Sequence, residues 1–413
     1  MKTLLIIGHT FPEPTATAAG TRMMQLISLF EKENYKIVFS STASITEKSE
    51  TFKCAPVEVK SIALNNTSFD DFIKELNPSV VLFDRFITEE QFGWKVAENC
   101  PDSLRILDTE DLHFLRKARQ EVLKKKLSIS DVNLFSETAK REIASIYRCD
   151  LSLIISEFEM ELLQNTFHID ASLLYYLPFL VNEITVAEFK EFPTFENRNH
   201  FITIGNLLHA PNVDAILFLK KEIWPEIKKQ LPKAELHIYG AYAPQQISEL
   251  HSQKEGFLIR GWVVSVSEAM KNARVCLAPL RFGAGLKGKF LDAMKNGTPA
   301  VTTSIGAEGI PGNYSFAGTI VDEAEGIVNA SIALYVNKKN WLAAQQNGME
   351  ILNQRFNYNL YSEKFINQLT LIQDNFQEYR NQNFIGQILQ HQSVQATKYM
   401  SKWIEEKNKA TNK

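Results

Sequence analysis

The sequence predicts an α/β protein built from two doubly wound domains that face each other across a cleft. Three observations predict it. Short apolar runs alternate with helix-spaced segments from Leu4 to Leu177, the pattern of a parallel sheet covered on both faces. The alternation lapses in an acidic stretch from Pro178 to Pro193, then restarts at Phe201 as a new strand-loop-helix unit. The chain has 413 residues, enough for two domains of ordinary size. The expected divisions are 1–180, a linker at 181–198, a second domain at 199–375, and a helical segment at 376–413.

In the first unit Leu4 to Ile7 reads as a buried strand. Gly8 to Thr21 is a loop, and the helix after it carries Met23, Leu26, Ile27 and Phe30 on one side. Strands follow at Lys36 to Phe39, Val57 to Leu64, Val80 to Phe83, Leu104 to Leu107, Leu151 to Ile155 and Leu173 to Leu177. Helices fall at Phe69 to Leu76, Gln91 to Glu98, Glu137 to Tyr147 and up to Asn165. Ligands of open α/β sheets meet the carboxyl ends of strands. Asp108, Glu110, Asp111 and His113 lie just past one such end, so that tract is a candidate site. Asp111 also suits a helix N-cap.

The second unit predicts strands at Phe201 to Ile204, Glu235 to Tyr239, Phe257 to Arg260, Val275 to Leu280 and Ala300 to Thr303. Helices are expected at Asn212 to Lys220, Pro244 to His251, Ser265 to Lys271, Gly326 to Val336 and Asn340 to Leu352. Between the last two strands lies a glycine-rich turn with Arg281, Lys287 and Lys289, leading into helical spacing from Leu286 to Lys295. Glycines let backbone approach a ligand. A helix start offers unpaired N–H groups and a positive dipole end. Gly285, Gly288 and Asp292 are spaced to share a helix face, placing a carboxylate beyond a bare surface where a ribose could bond it. The combination points to a clamp for a nucleotide diphosphate. Gly283, Gly285 and Gly288 also match GxGxxG, but a lone match deep in the chain is a weak dinucleotide fingerprint.

Composition narrows the classes. Formal net charge is -3, which disfavours nucleic acid as a partner. Cys54, Cys100, Cys149 and Cys276 are dispersed, arguing for reduced thiols and against a zinc site or disulfide framework. The opening MKTLLIIGHT is too short for a signal-peptide core, and no apolar run reaches membrane-span length. A cytoplasmic protein is expected. Six cations from Arg116 to Lys126 read either as a solvated helix face or as a peripheral membrane contact. Oligomeric state is not legible.

The run PLRFGAGLKGKFLDAMKNGTPAVTTSIGAEGI, from Pro279 to Ile310, resembles the donor-site signature of group 1 glycosyltransferases. It is closest to the form R-x-G-A-G-x-K-x-K-x-L-E-A-M. The resemblance implies the GT-B fold, two Rossmann-like domains with donor in the C-terminal half and acceptor in the N-terminal half. It implies retaining, metal-independent transfer from a nucleoside diphosphate sugar, a UDP- or GDP-sugar, with no further cofactor. The acceptor would be a sugar, a lipid-linked molecule or a protein, in polysaccharide, glycolipid or glycoprotein biosynthesis.

Site roles follow from the resemblance. His113 matches a histidine near the reacting sugar, with Asp111 orienting it or binding acceptor. Lys287 takes the diphosphate charge, with Arg281 and Lys289 beside it; Arg281 could instead pair with Asp292. Backbone amides from Phe282 through Gly283 and Ala284 to Gly285 face the sugar, and Asp292 the ribose. The Ala19-Gly20 pair stands where the family has Gly-Gly, so Gly20 meets donor phosphates. Arg22 just beyond it reads equally as part of a plain turn. Trp262 and Val263 stand where the family holds the base, although Trp262 also reads as packing. Two departures stand out. Ala284 occupies the place of the first of two signature acids, and neither Arg nor Lys occurs from Asn206 to Asn212. A catalytically silent binding module and a sugar-nucleotide epimerase are the alternatives.

Overall fold

The computed structural model describes residues 2–49, 52, 56–391, 399, 400 and 403. The first sheet has seven parallel strands: β1 (Thr3–Gly8), β2 (Lys36–Ser41), β3 (Val57–Ser61), β4 (Val80–Asp84), β5 (Leu104–Asp108), β6 (Leu151–Ile154) and β7 (Leu174–Tyr176). Their order is β3-β2-β1-β4-β5-β6-β7. The second has six: β8 (His200–Ile204), β9 (Leu236–Tyr239), β10 (Phe257–Gly261), β11 (Ala273–Ala278), β12 (Ala300–Thr302) and β13 (Gly318–Ile320), in the order β10-β9-β8-β11-β12-β13.

The sequence explains the layers. In β1, Leu4 and Ile6 enter one core and Leu5 and Ile7 the other, so both faces are covered and the strand is apolar throughout. In β8 and β11 the same split sends Ile202 and Cys276 one way, and Phe201, Val275 and Leu277 the other. Strand order reverses between β1 and β4 and between β8 and β11. The loops after those strands therefore open at the two switch points, where such sheets bind ligands.

The two domains are joined twice. Val181 N donates to Phe356 O at 2.7 Å and Tyr358 N to Val181 O at 2.8 Å, so the two crossing segments pair with each other. Past that point, helix Ser362–Asp374 turns its Phe365, Leu369 and Ile372 into the first domain's core. Phe365 meets Phe30 edge-on at 5.8 Å. The sequence counts this helix with the second domain; its one apolar face instead finds partners on the first. Helices Phe376–Gln382 and Phe384–His391 stay on the first domain, as Arg380 bonding to Asp150 shows. Most of the expected helix beyond His391 lies outside the described residues.

Other differences are local. The helix expected from Leu286 starts at Gly288, because Lys287 is extended at φ -92°, ψ 91° and serves as its N-cap, while Gly285 before it is left-handed at φ +63°. Gly285 thus leaves the face shared by Gly288 and Asp292. β13 is a strand the sequence reading lacks. The linker holds a one-turn helix, Val186–Lys190, capped reciprocally by Thr185 and Glu188. Cys100, Cys149 and Cys276 are buried free thiols, and Cys54 lies outside the described residues. Among the described residues no helix is long and apolar enough to cross a membrane.

Candidate active site

The carboxyl ends of both sheets enclose a cleft of about 540 Å³. The loops after β1, β4 and β5 line one side, and those after β8, β10 and β11 the other. The loop after β1 reaches across. Tyr242 donates its hydroxyl to Glu13 Oε1 at 2.8 Å, and Trp262 Nε1 donates to Thr15 O at 3.1 Å.

On the second-domain wall, β11 ends in Pro279-Leu280 and the glycine turn begins. Lys287 is the N-cap of helix Gly288–Lys295 but makes no side-chain cap bond, so the first-turn N–H groups have no side-chain partner. Lys287 is 8% exposed, and its ammonium donates to Gly285 O at 2.8 Å and lies 3.9 Å from Glu308. Burial pulls its pKa down to about 8, partly offset by Glu308. Lys289 is bonded to Asn212 at 2.7 Å, and burial pulls it to about 8 as well. Asp292 lines the same wall, with Lys295 at 3.8 Å, and burial raises its carboxyl.

Across from this helix start is another, that of Ala18–Lys32. The two approach so closely that a Cβ on Gly288 would stand 3.0 Å from Ala18 Cβ. Gly20 is equally constrained: a Cβ there would stand 2.5 Å from the Glu13 backbone. Two positive helix ends thus converge on one end of the cleft.

On the first-domain wall, His113 opens helix His113–Lys125. Its Nε2 lies 3.4 Å from Asp111 Oδ1, and its ring meets Phe86 edge-on at 5.4 Å. Burial drives its pKa to about 3, so the imidazole is neutral at physiological pH. Burial pushes the Asp111 carboxyl up, but the Arg116 guanidinium outweighs it and holds it below the usual range. The Asp111 carboxylate also pairs with Arg116.

Several expected residues are spoken for. Arg281 makes a bidentate pair with Asp214, at 2.9 and 2.6 Å, and is not among the residues lining the cleft. Arg22 is 1% exposed and pairs bidentately with Asp108, also bonding Leu177 O at 2.8 Å, so both are structural. Trp262 and Val263 line the cleft, with Trp262 40% exposed and Lys48 over its ring at 4.4 Å. Gly283 and Ala284 also line it, whereas Gly285 faces the first domain: a Cβ there would stand 2.8 Å from Asp111 Cβ.

The structure adds residues the sequence reading did not single out. Glu159 Oε1, fully buried, accepts from Leu112 N at 3.0 Å and from Gly285 N at 2.8 Å. Arg119 reaches from the supposedly solvated basic helix to Gly283 O at 2.9 Å and to both Glu308 oxygens, at 2.9 and 2.7 Å. Its place between Leu115 and Val122 on one helix face was the available signal. His209 follows β8; burial holds it at about 4, with Arg116, Asp111 and Lys289 near enough to act on it. Arg85 adopts φ +71° beside the cleft, as does Glu110 of the expected tract at φ +62°. Burial and Asp108 push Glu110 to about 8. Among the described residues no cluster of three or more His, Cys, Asp or Glu could hold a metal ion.

A two-domain cleft of this kind, with a cationic helix start on its C-terminal wall, defines the GT-B class of fold. Residues 198–337 match the family described as glycosyl transferases group 1. Solved structures share the fold, among them these two. Sucrose-phosphate synthase from Thermosynechococcus elongatus has a TM-score of 0.66 at 12% identity, covering 90% of this chain and 99% of that one. The Anabaena protein HepE, solved with UDP and glucose, has a TM-score of 0.66 at 10% identity, covering 90% and 100%. An uncharacterized 44.6 kDa protein from the cps region of Klebsiella pneumoniae is 27% identical over 165 residues. That match covers 37% of this chain and 42% of the relative, less than half its length. The part of the second domain from residue 198 to 337 is thus a group 1 glycosyl transferase domain.

Proposed function

We propose that the protein transfers a sugar, with retention, from a nucleoside diphosphate sugar to an acceptor held on the first domain. The observation that carries this is the uncapped helix start at Gly288, opening with Lys287 and Lys289 into the interdomain cleft. The diphosphate lies against those N–H groups and the Lys287 ammonium. Positive charge fixed where the leaving group gains negative charge lowers the barrier. Lys287 has two further N–H donors beyond the one spent on Gly285. The base lies near Trp262 and Val263, and Asp292 takes the ribose.

The neutral His113 imidazole bonds a sugar hydroxyl without adding repulsion to an oxocarbenium-like centre. Asp111 holds that ring, and the acceptor hydroxyl attacks from the leaving-group side. The chain has no Asp-x-Asp triplet, so its own cations carry the diphosphate charge. A uridine donor is favoured by the HepE complex with UDP and glucose. Ala284 in place of the first signature acid favours the second reading, a module that binds but does not turn over.

Product analysis with UDP-, GDP- and ADP-sugars and a panel of sugar, lipid-linked and protein acceptors tests this. Free nucleoside diphosphate with a glycosylated acceptor supports transfer. A released epimer contradicts it, and tight binding without any product selects the silent module.

A further inference from the structure

A second cavity lies under the C-terminal helices, at the opposite end of the first sheet from the cleft. It measures about 210 Å³. Arg105 enters it from the amino-terminal end of β5, whereas the cleft uses the carboxyl end of that strand. Arg148 and Asp150 line it from the first domain, and Arg380, Asn383 and Gln387 from the returning C-terminal segment.

Most of its polar groups are already satisfied. Arg380 bonds both Asp150 oxygens, at 2.7 and 2.8 Å, and the carbonyls of Pro101 and Ser103. Arg148 commits Nε and Nη2 to Glu89 and Ser145. Asn383 and Gln387 spend their amide N–H groups on Tyr147 O and Arg380 O, at 2.7 and 2.9 Å.

Arg105 is the exception. It is 6% exposed, and its Nε has no hydrogen-bond partner. The nearest acid is Asp150, at 3.7 Å, beyond hydrogen-bond reach. That carboxylate cannot close the gap, because Oδ2 already accepts from Arg105's own backbone N at 2.8 Å and from Arg380. Charge does not balance either. Arg105, Arg148 and Arg380 face Asp150 and Glu89, three cations against two anions. Burial holds the Cys149 thiol and the Tyr147 phenol above their ordinary pKa values, so neither supplies the missing charge. Burial also pulls the Arg105 pKa down, with Arg380 adding to it and Asp150 opposing.

We propose that this cavity binds a phosphate-sized oxyanion, free or as the phosphoryl end of a small metabolite, through the Arg105 guanidinium with Arg148 at its rim. A guanidinium offers a planar fork of donors that matches an oxyanion. The space exceeds the roughly 30 Å³ share of one water, leaving room for the anion and its residual hydration. The anion balances the excess charge. Because the walls come from β5 and from the C-terminal helices, it also ties those helices to the first domain. This inference stands apart from the proposed reaction and uses no residue of the cleft.

Phosphate is tested on the full chain against chloride at matched ionic strength, in a Lys287→Ala background that disables the cleft's anion clamp. Phosphate is expected to raise the melting midpoint by about 2 °C at saturation. Adding Arg105→Met is expected to abolish that rise, while Arg105→Met alone keeps the wild-type response to UDP, showing that it folds. No rise in the Lys287→Ala protein, or a rise that survives Arg105→Met, overturns the proposal. Should Arg105→Met fail to fold, crystals of the unaltered chain soaked in phosphate decide. Phosphate within hydrogen-bond distance of Arg105 supports the site, and water alone there overturns it. A larger rise with a sugar phosphate than with phosphate assigns the metabolite, and equal rises assign the free anion.

Discussion

Glu159 and Gly285 are joined across the domain boundary by a 2.8 Å hydrogen bond, from the Gly285 amide to a carboxylate with no solvent exposure. The same oxygen accepts from Leu112 N at 3.0 Å, so one acid fixes the glycine turn to the tract that ends at His113. Burial, with Asp111 adding to it, pushes this carboxyl to about 7. Glu159→Ala leaves two buried N–H groups unpaired, and each such loss costs about 1–3 kcal/mol. Denaturant midpoints are expected to fall accordingly, with Glu159→Gln intermediate because its carbonyl still accepts. The sign of the pH effect follows from a raised pKa. The folded state holds the proton more tightly, so that contribution is full below about 4.5 and lost as pH rises through about 7. Wild type is therefore expected to lose stability relative to Glu159→Gln over that window.

Arg119 and Glu308 form another link between the domains. Both are largely buried, and Arg119 also holds Gly283 O. Removing one partner of a buried pair costs about 3–5 kcal/mol. Arg119→Ala is expected to lower the unfolding free energy by that order. Nucleotide affinity should fall with it, because Glu308 is then left facing Lys287 alone. Calorimetric titration with UDP checks the second effect.

His113 is held neutral, with its pKa at about 3. Its ring resonances in an NMR titration are expected to stay constant from pH 5 to 8. A midpoint inside that range would contradict the burial on which the neutral imidazole depends. His113→Ala is expected to keep nucleotide binding and to lower turnover about a hundredfold or more, the scale of one well-placed polar group in a transition state.

Gly288 has little room for a side chain, with Ala18 Cβ 3.0 Å from where its Cβ would stand. Gly288→Leu is expected to push the two helix starts apart. Nucleotide affinity should then fall at least tenfold, with a smaller change in the unfolding midpoint. Comparing the two measurements separates a damaged site from a damaged fold.

Both sheets were largely legible because every central strand is an apolar run buried on two faces, as in Leu4–Ile7 and Val80–Phe83. β13 was not, since three residues beginning with glycine give no period to read. Residue type, spacing and the family resemblance sufficed to single out the glycine turn and Lys287, and Gly283, Lys287 and Gly288 line the cleft. Glu159 and the cross-domain reach of Arg119 were not legible, because their bonds span 126 to 189 positions and exist only once the domains meet. Arg281 misled for the same reason. Its charge beside the turn suggested a ligand, but Asp214, 67 positions away, neutralises it.

In the proposed reaction the Lys287 ammonium and the Gly288 helix start grip a diphosphate. The most direct measurement is the affinity for UDP, GDP and ADP of wild type and Lys287→Ala, by calorimetry from pH 6.5 to 9.5. At least one nucleotide is expected to bind wild type with constant affinity below about pH 8 and to weaken above it, as a lysine with pKa about 8 loses its proton. Lys287→Ala should bind that nucleotide at least tenfold more weakly and without that pH dependence. Equal affinity in the two proteins would contradict the clamp.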